Sequence, residues 1–326
     1  MTTTALSHKR IVLYGALALF IGAHFGLSLL AMPQAGSSSV ALSSDTLRLL
    51  RLLVALLYWP TWFLGARGVL MIWEYAGRFR SEPSLRQRGF LRIGNGLLWL
   101  FASLATAAIV SSIRTRLGAA SPFRDELTIL LNYLYLLVPL LGIALLFSGA
   151  RMLARSGSQV SRQTEKDNLR AAFLFALVIS GIYATLVFTN PNRQAGMDAA
   201  AMPTYYLSDP LIVLTILFPA FLMWLLGIAA AFQLGELLPA RLSERQMRAQ
   251  HTFVTGIWMI LLFMAAIHVI LALGGARLAS LGLTFLLVAV YGVLLLLLAG
   301  CVLLLRGIRG LLRVPAEEVR DVQAGT

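Results

Sequence analysis

The chain has 326 residues, of which 59% are apolar, only 13% are charged, and the formal net charge is +13. A water-soluble domain carries about 25% charged residues, so this composition excludes an ordinary soluble fold and makes a nucleic-acid partner a poor explanation of the positive charge. The apolar residues gather into runs of about 20, the length that crosses a hydrocarbon core of about 30 Å, and the basic residues stand between those runs.

Taken in chain order, the runs predict an all-α membrane protein with eight transmembrane helices. They are Ile11–Met32, Arg48–Trp73, Leu91–Ile113, Leu127–Ala150, Ala171–Asn190, Pro210–Leu234, Thr252–Gly274 and Leu281–Arg306. Each must be helical, because lipid offers no partner to a free backbone N–H or C=O. The first run is longer than the apolar stretch of a secretory leader, so it is read as a retained helix. Trp73, Tyr75, Tyr205 and Tyr206 stand near span ends, where amphipathic rings favour the interface.

Orientation follows from the connections. Lys9 and Arg10 precede the first span, and Arg78 to Arg92, Arg151 to Arg170, Arg241 to Arg248 and Arg306 to Arg320 follow the even-numbered spans. The opposite side holds Arg48, Arg51, Arg114, Arg116, Arg124, Arg193 and Arg277. The richer side is cytoplasmic by the positive-inside rule, so both termini are expected inside. The basic inner connections can lie on anionic lipid. The short connections leave no room for a soluble catalytic domain. Abundant Arg, Ala and Leu with only Lys9 and Lys166 suggest a bacterial source, hence the plasma (inner) membrane.

Features recur about every eighty residues. Arg10, Arg88, Arg170 and Arg248 each stand before an odd-numbered span; Pro60, Pro139 and Pro219 each lie inside an even-numbered one. The spacing predicts four parallel-repeated helical hairpins, over 1–83, 84–163, 164–243 and 244–313, with 314–326 as a cytoplasmic tail. Parallel repeats relate about an axis along the membrane normal. Gly22–Gly26 forms a GxxxG pattern, and Gly94-Asn95-Gly96 suggests a tight crossing in the third span.

The candidate site residues come from kinks and intramembrane polar groups. A helical proline frees the carbonyl four residues earlier, here on Leu56, Tyr135 and Thr215. Pro60, Pro139, Pro219, Tyr135 and Thr215 are therefore cavity candidates, against the alternative of bent packing helices. His24 and His268 are the intramembrane imidazoles, and Arg67 is the intramembrane cation. The two histidines can be packing residues, solute or proton contacts, or the axial ligands of a haem b. Their depths differ by about 4.5 Å at 1.5 Å per residue. Arg67 either snorkels to the head groups or meets an anion in the bundle.

What is missing narrows the chemistry. No Asp, Glu or Lys falls deep in a span, which excludes a retinal Schiff base and argues against a carboxylate proton relay. There is no Walker A loop, HExxH, GxSxG or EF-hand, and the lone Cys301 allows no intramolecular disulfide or cysteine metal site. An enzyme is not expected, nor is a metal or resident cofactor. Three functions stay open: a small-molecule or ion permease or membrane subunit of a transport assembly; a haem- or quinone-linked redox subunit using His24 and His268; and a scaffold binding membrane protein partners or a second copy.

Overall fold

The computed structural model describes residues 10–19, 21–22, 44–78, 85–117, 123–157, 162–188, 210–236, 244–280 and 283–313. The elements found there are all helices: α1 (Arg10–Leu19), then α2 (Ser44–Gly77), α3 (Leu85–Leu117), α4 (Arg124–Gly157), α5 (Arg162–Phe188), α6 (Pro210–Glu236), α7 (Glu244–Ser280) and α8 (Leu283–Leu312). Six of them, α3 to α8, contain stretches long and apolar enough to cross a membrane. Five of these stretches bury between 39% and 61% of their most apolar window, but the α5 stretch buries 11%. The first expected span falls partly on α1, and the rest of it lies outside the described residues.

The helices outrun the apolar spans. At 1.5 Å per residue the 33 residues of α3 reach about 50 Å, so both ends project past a core of about 30 Å. Pro60, Pro139 and Pro219 sit inside α2, α4 and α6 without ending them, which a nonpolar bundle tolerates when neighbours re-satisfy the freed carbonyl.

Packing closes a ring. α2 lies on α3, α3 on α4, α4 on α6, α6 on α7, α7 on α8, and α8 back on α2. α5 sits outside against α6 and α7. α1 reaches α2 through an Arg10–Glu74 ion pair at 3.2 Å and a stacked Tyr14–Phe63 pair. One apolar cluster runs through the ring, with Ile72, Ile93, Leu97, Ile143, Met223 and Phe263 among its fully buried members. Cys301 is in that cluster with no exposed surface. A maleimide should therefore leave the native protein unlabelled and modify it once denatured; fast labelling of folded protein would contradict this packing.

Two antiparallel hairpins hold the ring together, and both close on glycine. Between α3 and α4, a Cβ placed on Gly96 would lie 2.5 Å from the Gly142 carbonyl oxygen, and one on Gly149 would lie 2.7 Å from that of Gly89. Between α7 and α8, a Cβ on Gly256 would lie 2.5 Å from the Leu304 amide nitrogen and 2.9 Å from the Gly300 carbonyl oxygen. Gly307 meets the Phe253 backbone, and Gly310 meets Ala249. Small residues let backbones touch, which matters in lipid because no hydrophobic force drives helices together there. The expected close crossing at Gly96 is present; its neighbour Gly94 instead receives the Trp73 ring, whose Nε1–H donates to Asn95 Oδ1 at 3.1 Å. Among the described residues nothing lies within 4 Å of a Cβ on Gly22, and Gly26 lies outside them.

The two seams correspond position by position. Gly96 and Gly256 are 160 positions apart, as are Ile93 and Phe253, and Leu100 and Ile260. Gly142 and Gly300 are 158 apart, as are Leu146 and Leu304, and Gly149 and Gly307. The ring obeys the same exchange: α4 packs on α6 as α8 packs on α2, and α3 on α4 as α7 on α8.

Candidate functional site

The residues singled out by sequence do not share one environment. Pro139 and Pro219 are buried, whereas Pro60 is exposed on α2. Tyr135 is half-buried on α4, against a small separate cluster of Ala107, Val110 and Leu131. Arg67 is exposed on the surface of α2. Thr215 lies within α6, but its side chain is outside the described set, and His24 is outside the described residues. His268 is the one candidate that stands as a buried polar group.

His268 is 4% exposed, on the half of α7 far from Glu244. Its Nδ1 is 2.7 Å from the Met264 carbonyl oxygen, one turn back on the same helix. A carbonyl only accepts, so this contact assigns the ring proton to Nδ1, and Nε2 carries a lone pair. Nε2 is buried and has no hydrogen-bond partner among the described residues.

Two other helices complete the surroundings. Trp224 of α6 is 2% exposed, and its ring meets the imidazole edge-on at 5.4 Å and 82°. Tyr183 of α5 does the same from another side, at 5.9 Å and 75°. Ser180 precedes Tyr183 by three residues, so both project from nearly one face of α5. Trp224 Nε1 and Ser180 Oγ are also buried without hydrogen-bond partners among the described residues. Among the described residues, the junction of α5, α6 and α7 thus holds an acceptor on His268 and a donor on Trp224 without partners, with the unpartnered Ser180 hydroxyl one turn along α5 from Tyr183.

That arrangement is expensive. A buried polar group without a partner costs about 1–3 kcal/mol in mutational data. Native proteins pair the great majority of such groups, so an orphan calls for an explanation in strain, function or an unseen partner molecule. Three orphans on three touching helices make this junction the strongest candidate site among the described residues.

Aromatic contacts attach α5 to the ring near the site. Phe173 meets Phe221 edge-on at 5.6 Å, and Phe175 meets Phe232 at 6.4 Å. Phe232 in turn meets Trp258 of α7 at 5.4 Å. Leu174, Leu177, Val178 and Ile182 on the far side of α5 are more than half exposed. The helix that closes the site is therefore also the least buried of the six.

Sequence reasoning found His268. It missed Ser180 and Tyr183. The available signal was their spacing: a hydroxyl and a phenol three residues apart in an otherwise apolar run. Among the described residues no group of three or more His, Cys, Asp or Glu side chains could hold a metal ion. No family model, curated protein or solved structure matches this chain.

Proposed function

We propose that this chain is a membrane permease, or the membrane subunit of a transport assembly, that binds a small neutral solute between α5, α6 and α7. The observation behind this reading is the set of unpartnered buried atoms on Ser180, Trp224 and His268. A solute with a hydroxyl or amide fits them: its donor meets His268 Nε2 and its acceptor takes the Trp224 N–H. The aromatic walls favour an otherwise apolar body. Glu165, Asp167, Glu236 and Glu244 stand at the ends of α5, α6 and α7 remote from this junction, which disfavours a cation, and the indole, imidazole and hydroxyl groups suit a neutral solute.

The site is closed on the bundle side by the apolar core; of α5's described residues only the small Ala172 and Ala176 are buried members of that core, with Phe173 and Phe175 making flanking ring contacts. Access is therefore by separation of α5 from α6 and α7, from the bilayer side. The topology that goes with this function has eight crossings, both termini in the cytoplasm, and a plasma-membrane location. The lysine and arginine distribution supports that orientation. The matched glycine seams at offsets of 160 and 158 support a parallel duplication, most legible as two halves of two hairpins each.

Purified protein in liposomes tests the reading. A neutral aromatic alcohol or amide series should reveal saturable uptake and saturable thermal stabilisation, both lost in the Trp224→Phe/His268→Leu double variant. Uptake at the lipid-only rate for every member, together with a stably co-purifying membrane protein, would instead assign a scaffold role.

One observation favours a second reading. A haem-ligating imidazole usually donates its Nδ1–H to a carbonyl or carboxylate and offers Nε2 to the iron, and His268 has that arrangement. Its counterpart would be His24. Haem-replete expression decides between the readings: a Soret band that disappears in His268→Ala supports a redox subunit, and a colourless protein removes it.

A further inference from the structure

The outward face of α8 carries a stripe that ends in charge. Val288, Leu295 and Val302 are 66%, 52% and 38% exposed, and they recur at sevens, so they lie on one side of the helix. The same side continues one turn further into Arg306, then Arg309 and Arg313, all exposed. None of the three forms an ion pair with a described residue. Four inner-end arginines on other helices do pair: Arg10 with Glu74, Arg151 with Glu165, Arg170 with Asp167, and Arg248 with Glu244; Arg88, Arg155 and Arg245 stand singly, whereas α8 sets three such arginines on one helix end.

The comparison between halves sharpens this. Arg151 and Arg155 stand 158 positions before Arg309 and Arg313, the offset of the glycine seam. In the first half the next helix supplies Glu165, whose Oε1 is 3.2 Å from Arg151 Nε. The equivalent charge on α8 meets no described carboxylate, and an extra arginine, Arg306, stands where the first half has Ser148. Topogenic charge alone accounts for basic residues at this end. It does not account for their alignment beneath an exposed apolar stripe.

We propose that this face of α8 is a binding site for one anionic phospholipid. The acyl chains lie along Val288, Leu295 and Val302, and the headgroup phosphate sits among Arg306, Arg309 and Arg313. Guanidinium groups suit this role because their planar forks bind phosphate oxygens two at a time.

Native mass spectrometry of the purified full-length protein tests it, using dioleoyl phosphatidylglycerol with dioleoyl phosphatidylcholine as the neutral control. The wild type should form a saturable one-to-one complex with the anionic lipid only. At about fivefold per arginine, the R306Q/R309Q/R313Q variant should lose about a hundredfold in affinity. Because these arginines also orient the helix, a second variant, Leu295→Asn with Val302→Asn, leaves the charges in place; it should lose about tenfold, and it decides alone if the first does not fold. Equal retention of both lipids, or undiminished affinity in either folded variant, overturns the proposal. So does displacement of the lipid by equimolar glycerol 3-phosphate, which would make the arginines a site for a soluble anion.

Discussion

Gly96→Leu should yield little folded protein, and Gly256→Leu should match it. A Cβ at either position already lies 2.5 Å from a backbone atom of the partner helix. Backbone cannot move aside as the tip of a side chain can, so the hairpin must open along the whole seam. Overpacking costs about 1–3 kcal/mol when side chains can adjust. Here the cost should reach about 3 kcal/mol or more, a large share of the 5–15 kcal/mol that holds a typical protein folded. Size-exclusion profiles in mild detergent should show aggregation, and the surviving fraction should melt roughly 6–12 °C lower. Gly181→Leu is the control, because no described atom lies within 4 Å of a Cβ there; it should leave stability unchanged or raise it by up to about 1 kcal/mol, the helix propensity that glycine forgoes. Gly96→Ala should be milder than Gly96→Leu, since its side chain stops at the Cβ while both residues recover about 1 kcal/mol of helix propensity. A Gly96→Leu protein as stable as Gly181→Leu would mean that the seam is not closed in the membrane.

The same contrast explains which parts of the structure were legible in the sequence. Hydropathy reports the solvent, and a bilayer imposes one length on every crossing, so the runs beginning at Leu91, Leu127, Ala171, Pro210, Thr252 and Leu281 all recur within α3 to α8. Rotation of a helix about its own axis is set by packing, and hydropathy in an all-apolar helix carries little of it. The low amphipathic asymmetry of α2, α3, α4 and α6 leaves inner and outer faces alike in composition. Hence Pro60 and Pro139 looked equivalent, each inside an even-numbered span, yet one is exposed and the other buried. Gly96 was suspected because it has a close glycine neighbour in sequence. Gly142, Gly256 and Gly300 were not, because their significance appears only across the hairpin. His268 was legible as a rare imidazole in an apolar run. Ser180 and Trp224 were not, since their meaning lies in having no partner.

His268→Leu should make the protein more stable while removing its function. Leucine is close in volume to histidine and brings no polar atom to the site. The substitution deletes the Nε2 lone pair, which is buried without a partner, and so recovers about 1–3 kcal/mol. It also deletes the Nδ1–H contact to the Met264 carbonyl. That loss is small, because within α7 the same carbonyl accepts the helical N–H four residues on. The net expectation is a gain of about 1–2 kcal/mol, seen as a melting temperature several degrees higher. Trp224→Phe removes the second orphan and should add a smaller gain in the same direction. The two rings touch, so the double variant is not expected to be additive. Stability rising as solute binding disappears is the signature of groups kept for a ligand, since a functional site retains unpaired polarity that packing alone would discard. A fall of about 2 kcal/mol in His268→Leu would mean the opposite: that His268 completes a hydrogen-bonded core, and that the junction of α5, α6 and α7 is packing rather than a site.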